Sequence, residues 1–326
     1  MKLGNYNVVK LDKLMTILNL RKKLLINSEK WEEVTKEYER TFLLFITDKC
    51  NLKCSYCFNK PNLHTNDFMT MEYIMKIIFS NPKIIKIDLM GGEPLLHPDI
   101  NKVISFLESE QKQIGLYTNG YFLDKLSKKI KLNLKINISF QSIYSNDKSL
   151  KPLSDIKDKI NEYSELYPFK LVFLLNPQNK DTLYEVVKYI EIHLKNISKL
   201  TIGSVRNEAD YINDNYPFVL PFNEYYTIVQ NFINQYNGKL DIDIFTKGIL
   251  FTDKLPFGER FQLNRFKSIF PKNKYVPCLY LIANNEKQDF DFNNEIKYYE
   301  CESCHRTGLK NCMADKIYLK RKHEQQ

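Results

Sequence analysis

The sequence predicts an α/β fold of six parallel strands, preceded by a helical lead-in and followed by a small cysteine-rich unit. Three observations predict it. Apolar strand-like stretches alternate with helix-like stretches from residue 41 to residue 202, and such alternation gives parallel strands joined by helical crossovers. The rhythm changes after residue 205, where Tyr211–Pro221 is punctuated by Asn, Asp and Pro. Four of the seven cysteines lie beyond that point. The expected organisation is therefore a lead-in over 1–40, an α/β domain over 41–215 and a C-terminal unit over 216–326.

The lead-in is polar and helix-prone, with Leu11, Leu14, Met15 and Leu18 at helical spacing. Its expected role is to cap the end of a core. Thr41–Thr47 is continuous in apolar residues and reads as a buried strand. Met69–Ser80 reads as a helix capped by Thr70. Strands follow over Lys83–Met90, Ile114–Tyr117, Leu134–Gln141, Phe169–Leu175 and Lys199–Ile202. Helices are expected over Asp99–Gln111, Phe122–Lys131, Ile156–Leu166, Thr182–Lys195 and, past the sixth strand, Phe222–Tyr236. Six such repeats curl into an incomplete barrel or lie as an open sheet, and periodicity does not choose. In both forms a ligand site belongs at the carboxyl ends of the strands.

Composition narrows the class. The 326 residues are 43% apolar, enough for a sizeable core, and nothing reads as low-complexity. The longest apolar run near the start, Leu14–Leu20, is short and followed by Arg21-Lys22-Lys23, which is not a secretory pattern. No stretch approaches the roughly 20 apolar residues of a membrane helix, so a cytoplasmic protein without a membrane partner is expected. The net charge of +9 is spread as lysines on the expected helices and reads as a solvated surface. No RNA-binding module accompanies it, which argues against a nucleic-acid partner. An odd cysteine count in clusters points to metal rather than disulfides.

Cys50, Cys54 and Cys57 follow the first strand directly. Three thiolates on one short loop can hold three irons of a [4Fe–4S] cluster and leave the fourth open to an exchangeable ligand. Zinc with a remote fourth ligand such as His64 is the alternative, but zinc loops usually pair ligands as Cys-x2-Cys. Met90-Gly91-Gly92-Glu93-Pro94 follows the second strand. Its glycines permit a close backbone approach and its carboxylate can receive an ammonium group. Tyr117-Thr118-Asn119-Gly120 ends the third strand, Ser139-Phe140-Gln141 the fourth and Asn176 the fifth, while Arg206 follows the sixth. Each of these also reads as a turn or strand-end polar residue.

The loop Cys50–Cys57, with Tyr56 before its last cysteine, resembles the signature of the radical S-adenosylmethionine (SAM) superfamily. Gly-Gly-Glu-Pro resembles that family's segment against the SAM amino group, and Thr118-Asn119-Gly120 a segment beside the SAM site. The resemblance covers about residues 41–205 and implies a partial (β/α)6 TIM-like barrel. It implies a cluster on Cys50, Cys54 and Cys57 that reductively cleaves SAM to a 5′-deoxyadenosyl radical, which abstracts a substrate hydrogen atom. It also implies SAM contacts from Gly91, Gly92, Glu93, Asn119 and Ser139, with Tyr56 and Gln141 as further candidates in the matching segments; Asn176 and Arg206 are candidates from their places at the strand ends. The family commonly has Leu-Asp-Gly after the serine, where this chain has Phe140-Gln141-Ser142.

The tail carries Cys278, Cys301, Cys304 and Cys312, with His305 beside them. Four cysteines can close a second [4Fe–4S] cluster or a zinc site. The arrangement resembles the Twitch and SPASM extensions of radical SAM enzymes and suits the one-cluster form. A variant leaves one tail cysteine free as a hydrogen-atom donor. Enzymes with such tails often modify ribosomally made peptides, and a peptide substrate is the first expectation. Alternatives are oxidation of a small molecule such as a sugar alcohol, RNA modification, and an iron–sulfur or zinc interaction module without catalysis. An external electron donor such as flavodoxin or ferredoxin is implied.

Overall fold

A computed structural model of the chain describes residues 41–57, 59–60, 63, 66–129, 133–197, 199–204, 220, 222–244, 267–271, 274–276 and 288–289. Seven strands run parallel in sequence order: β1 (Thr41–Thr47), β2 (Lys86–Gly91), β3 (Gln113–Thr118), β4 (Leu134–Phe140), β5 (Phe169–Leu175), β6 (Lys199–Ser204) and β7 (Asp241–Ile244). β8 (Lys267–Phe270) lies parallel on the other side of β1 and is followed by antiparallel β9 (Lys274–Val276) and β10 (Gln288–Asp289). The sheet is open, ending in β7 and β10, and is the expected partial barrel extended at both edges. It does not stop at residue 215: the helix over Phe222–Gln235 leads into β7, which pairs with β6. The lead-in 1–40 falls outside the described residues, as does most of the chain beyond 244.

Helices α1 (Met71–Phe79), α2 (Ile100–Ser109), α3 (Lys157–Tyr163), α4 (Leu183–His193) and α5 (Phe222–Gln235) supply the crossovers. Thr70 caps α1 by accepting from the Tyr73 N–H at 3.2 Å, a device worth about 1 kcal/mol. The core lies between these helices and alternate strand residues such as Leu44, Ile87, Leu116, Ile138, Leu171 and Ile202. Each such aliphatic contributes about 1.5–3 kcal/mol of burial. The intervening residues, Lys86, Asp88, Tyr117, Ser139 and Lys170 among them, have the opposite parity and line the inner face.

One expected helix is replaced. Over Phe122–Lys131 the described residues form only a 3-10 turn, Leu123–Lys125. Asn101 of α2 explains it: its side chain donates to the Lys125 carbonyl and accepts from the Ser127 N–H, both at 2.8 Å. Those bonds take the backbone groups a longer helix would need. The helix expected over Ile156–Leu166 is present as α3, entered through a 3-10 turn over Leu153–Ile156.

Candidate active site

The cysteine loop leaves β1 at a register shift between Phe45 and Thr47. Its base is closed by residues 67–69, through Asp48 N–H to Asp67 O at 3.0 Å and Met69 N–H to Ile46 O at 2.9 Å. Cys54 is buried, and Cys50 and Cys57 are half-buried. The Leu52 N–H lies 3.5 Å from Cys50 Sγ, and the Asn59 N–H bonds to Cys57. Backbone donors aimed at sulfur suit thiolates. Burial opposes ionisation: it raises the Cys50 thiol and pushes Cys57 up to about 11. A bound cation reverses that preference, because coordination deprotonates the thiol.

Three cysteine thiols on one loop are the donor type an iron–sulfur cluster takes. Among the described residues no three Cys, His, Asp or Glu side chains are gathered as a single-ion site. A cubane places each thiolate on a different iron and so needs no such convergence. His64, the candidate zinc ligand, lies outside the described residues.

Gly91 and Gly92 press on the cysteine loop itself. A Cβ on Gly91, where φ is +153°, would stand 2.3 Å from the Thr47 carbonyl oxygen, and one on Gly92 would stand 2.3 Å from that of Lys49. Their absence lets Gly92 N–H donate to Thr47 O and Glu93 N–H to Lys49 O, both at 2.8 Å. The Glu93 carboxylate, 1% exposed, accepts from the Leu95 N–H at 3.0 Å, the Thr118 hydroxyl at 2.7 Å and the Asn119 N–H at 2.8 Å. Burial raises its pKa and these three donors oppose the rise. Asn119 in turn donates from Nδ2 to Asn51 Oδ1 at 2.8 Å. Three loops are thereby knitted around the cysteines.

The fourth strand contributes through a strap that the sequence reading did not single out. Tyr56 donates its hydroxyl to the Ser149 carbonyl at 2.8 Å. Gln141 N–H donates to Leu150 O at 3.0 Å. Lys151 takes the left-handed conformation, φ 51° and ψ 63°, although it precedes Pro152, a position that favours extended backbone. Its ammonium donates to Ser139 Oγ at 2.7 Å, lies 5.8 Å from the centre of the Tyr56 ring, and lowers the pKa of Cys50, Cys57 and Glu93. A strained residue holding a cation over the cysteine loop is a functional signal. No motif marks it, because an isolated Lys-Pro reads as ordinary loop.

The remaining expected contacts are arranged differently. Asn176 accepts from the Gln178 N–H at 2.8 Å and the Asn179 N–H at 3.2 Å, closing the turn after β5. It donates to Gln141 Oε1 at 3.3 Å. Among the described residues Gln141 Nε2 is buried without a hydrogen-bond partner. Arg206 and Cys278, Cys301, Cys304 and Cys312 lie outside the described residues.

Known proteins resemble this chain in sequence and in fold. Residues 44–190 match the family described as the Radical SAM superfamily. The region from β1 to α4 is thus similar to that superfamily. In sequence the chain is 34% identical over 163 residues to a "Probable GTP 3′,8-cyclase" of Methanococcus maripaludis, covering 46% of this chain and 54% of that protein. A "GTP 3′,8-cyclase" of Limosilactobacillus fermentum is 26% identical over 193 residues, covering 53% and 58%. The chain thus spans little more than half the length of these relatives. In fold it resembles Streptococcus suis SuiB bound to the precursor peptide SuiA, with a TM-score of 0.64 at 16% identity, over 85% of this chain and 70% of that one. It also resembles anSMEcpe with bound AdoMet, with a TM-score of 0.59 at 14% identity, over 84% of each chain. No helix among the described residues is long and apolar enough to cross a membrane.

Proposed function

We propose that this protein is a radical SAM enzyme that modifies a ribosomally made peptide. The observation that carries the SAM reading is the set of hydrogen bonds joining the cysteine loop, Glu93, Asn119 and the Lys151 strap at one end of the sheet. Cys50, Cys54 and Cys57 hold a [4Fe–4S] cluster, which when bound supplies the electron that cleaves SAM to methionine and a 5′-deoxyadenosyl radical. Glu93 receives the ammonium of SAM on the lone pairs its three donors leave free. Lys151, standing on Ser139, offers a cation to the carboxylate. Gly91 and Gly92 hold the loop, and Tyr56 braces it. The tail cysteines bind one auxiliary cluster in a Twitch-like unit, with a flavodoxin or ferredoxin as electron donor.

The peptide reading is supported by the extent of the fold likeness, which reaches 85% of the chain for a protein bound to a precursor peptide. A small-molecule substrate is the second reading, favoured by the names of the sequence relatives. Anaerobic reconstitution tests the chemistry. About eight irons per chain are expected from two four-iron clusters, with 5′-deoxyadenosine formed on adding SAM and dithionite. Cys54→Ala should lose four irons and all cleavage. Cleavage at the parent rate in that variant overturns the assignment. Consumption of GTP by the loaded enzyme would favour the second reading.

A further inference from the structure

The peptide between Gly91 and Gly92 is held from both sides by the cysteine loop. Its N–H, that of Gly92, donates to the Thr47 carbonyl at 2.8 Å, at the start of the loop. Its carbonyl, that of Gly91, accepts from Asn59 Nδ2 at 3.2 Å, just past the last cysteine. A trans peptide is planar and points its N–H and C=O in opposite directions, so this one plane spans the two ends of the loop. A shift of either end tilts it. The next N–H, that of Glu93, donates to the Lys49 carbonyl at 2.8 Å, so the tilt is passed on to the residue that carries the carboxylate.

Asn59 acts on both sides of this arrangement. It is 1% exposed. Its backbone N–H bonds to Cys57, and its side chain bonds to Gly91. At the other end Gly92 lies against Cys50, where an added Cβ would stand 2.9 Å from Cys50 Cβ. The plane thus relates the first and last cysteines to Glu93. The residue type follows from the geometry: a buried carbonyl needs a donor, and an amide supplies one without placing a charge beside the thiols. We infer that Asn59 is a positioning residue for SAM, which sets the distance between the cluster on the cysteines and the carboxylate that receives the SAM ammonium. The inference rests on the function proposed above, in which SAM meets the cluster and Glu93 at once. In such two-point binding a misplacement of about 1 Å is enough to cost about 100-fold in rate.

N59L keeps the volume of the side chain and removes its donor. N59A also removes the donor, but its gap admits a water that can take the donor's place. In the unloaded chain, amide exchange at Gly92 should quicken about tenfold in N59L. After anaerobic reconstitution, the iron held by the triplet and the far-ultraviolet circular dichroism should match the parent in both variants. The dissociation constant for SAM, measured by equilibrium dialysis, should rise about tenfold in N59L and less in N59A. That for 5′-methylthioadenosine, which lacks the amino-acid arm of SAM, should not change. The change that SAM produces in the electron paramagnetic resonance of the reduced cluster should be lost in N59L at a concentration that saturates the parent. SAM affinity in N59L equal to that of the parent overturns the inference. A larger defect in N59A than in N59L, or an equal loss for 5′-methylthioadenosine, makes Asn59 a packing residue and also overturns it. So does iron lost in step with SAM binding, which makes Asn59 a support of the cysteines alone. A parent whose cluster signal ignores SAM removes the proposed function itself, whereas a parent and an N59L that respond alike remove this inference only.

Discussion

The rim of strand ends divides into two halves that use the same residue types differently. Around β1–β3 the polar side chains reach across: Glu93 holds the loop after β3, and Asn119 holds the cysteine loop. Around β5 they turn inward: Asn176 and Asn179 bond mainly within their own turn and to Gln141. A strand-end asparagine is therefore not tied to the cysteine loop by its type alone. What separates Asn119 from Asn176 is where the hydrogen bonds that leave the loop lead: to Asn51 of the cysteine loop for Asn119, and to Gln141 at the neighbouring strand end for Asn176.

That contrast can be broken at several points. The largest effect belongs to Gly92→Ala, whose added Cβ meets the Lys49 backbone at 2.3 Å and Cys50 Cβ at 2.9 Å. Backbone cannot yield as a flexible side chain can, so a loss of about 1–3 kcal/mol is expected. Iron per chain at the triplet should fall at least tenfold on reconstitution, and normal loading would show that the two loops move independently. Glu93→Gln comes next. It puts an amide where three donors converge, costing about 1–3 kcal/mol for the orphaned donor. The affinity for SAM, measured by equilibrium binding, should weaken at least tenfold.

Asn176→Ala sharpens the comparison from the other side. Losing its turn bonds should cost about 1 kcal/mol in urea unfolding, while SAM affinity stays within twofold of the parent. A SAM defect matching that of Glu93→Gln would erase the difference between the halves. The smallest effect concerns His97, which accepts from the Asp99 N–H at 3.1 Å and donates from Nε2 to the Met69 carbonyl at 2.8 Å. Burial holds its pKa below the ordinary 6.5, so the unfolded chain binds the proton more readily. Its contribution to stability is complete above pH 6.5 and declines as the pH falls below that value. The urea midpoint should drop between pH 7.5 and pH 5.5, and His97→Gln should drop less. Equal slopes would place the titration elsewhere.

Much of the fold was legible because strand and helix periods are local. Thr41–Thr47 and Phe169–Leu175 have the bounds their apolar runs predict. β7 and β8 were missed because four-residue strands such as Asp241–Ile244 are defined by distant partners rather than by their own pattern. The cysteine triplet and Gly-Gly-Glu-Pro declared themselves as motifs. The reason for the glycines did not, since their tightest neighbours are the carbonyls of Thr47 and Lys49 more than forty residues earlier. Lys151 was invisible for a related reason: its role depends on a backbone conformation that the following proline argues against.

The bond from Tyr56 to Ser149 joins positions 93 residues apart. On a ribosome the thiols emerge well before the segment that braces them, and at ordinary synthesis rates several seconds pass between the two. The cysteine loop is among the first pieces of the domain to be made and among the last to be steadied. On the proposed function, a cluster would find its loop braced in the finished domain rather than in the nascent chain.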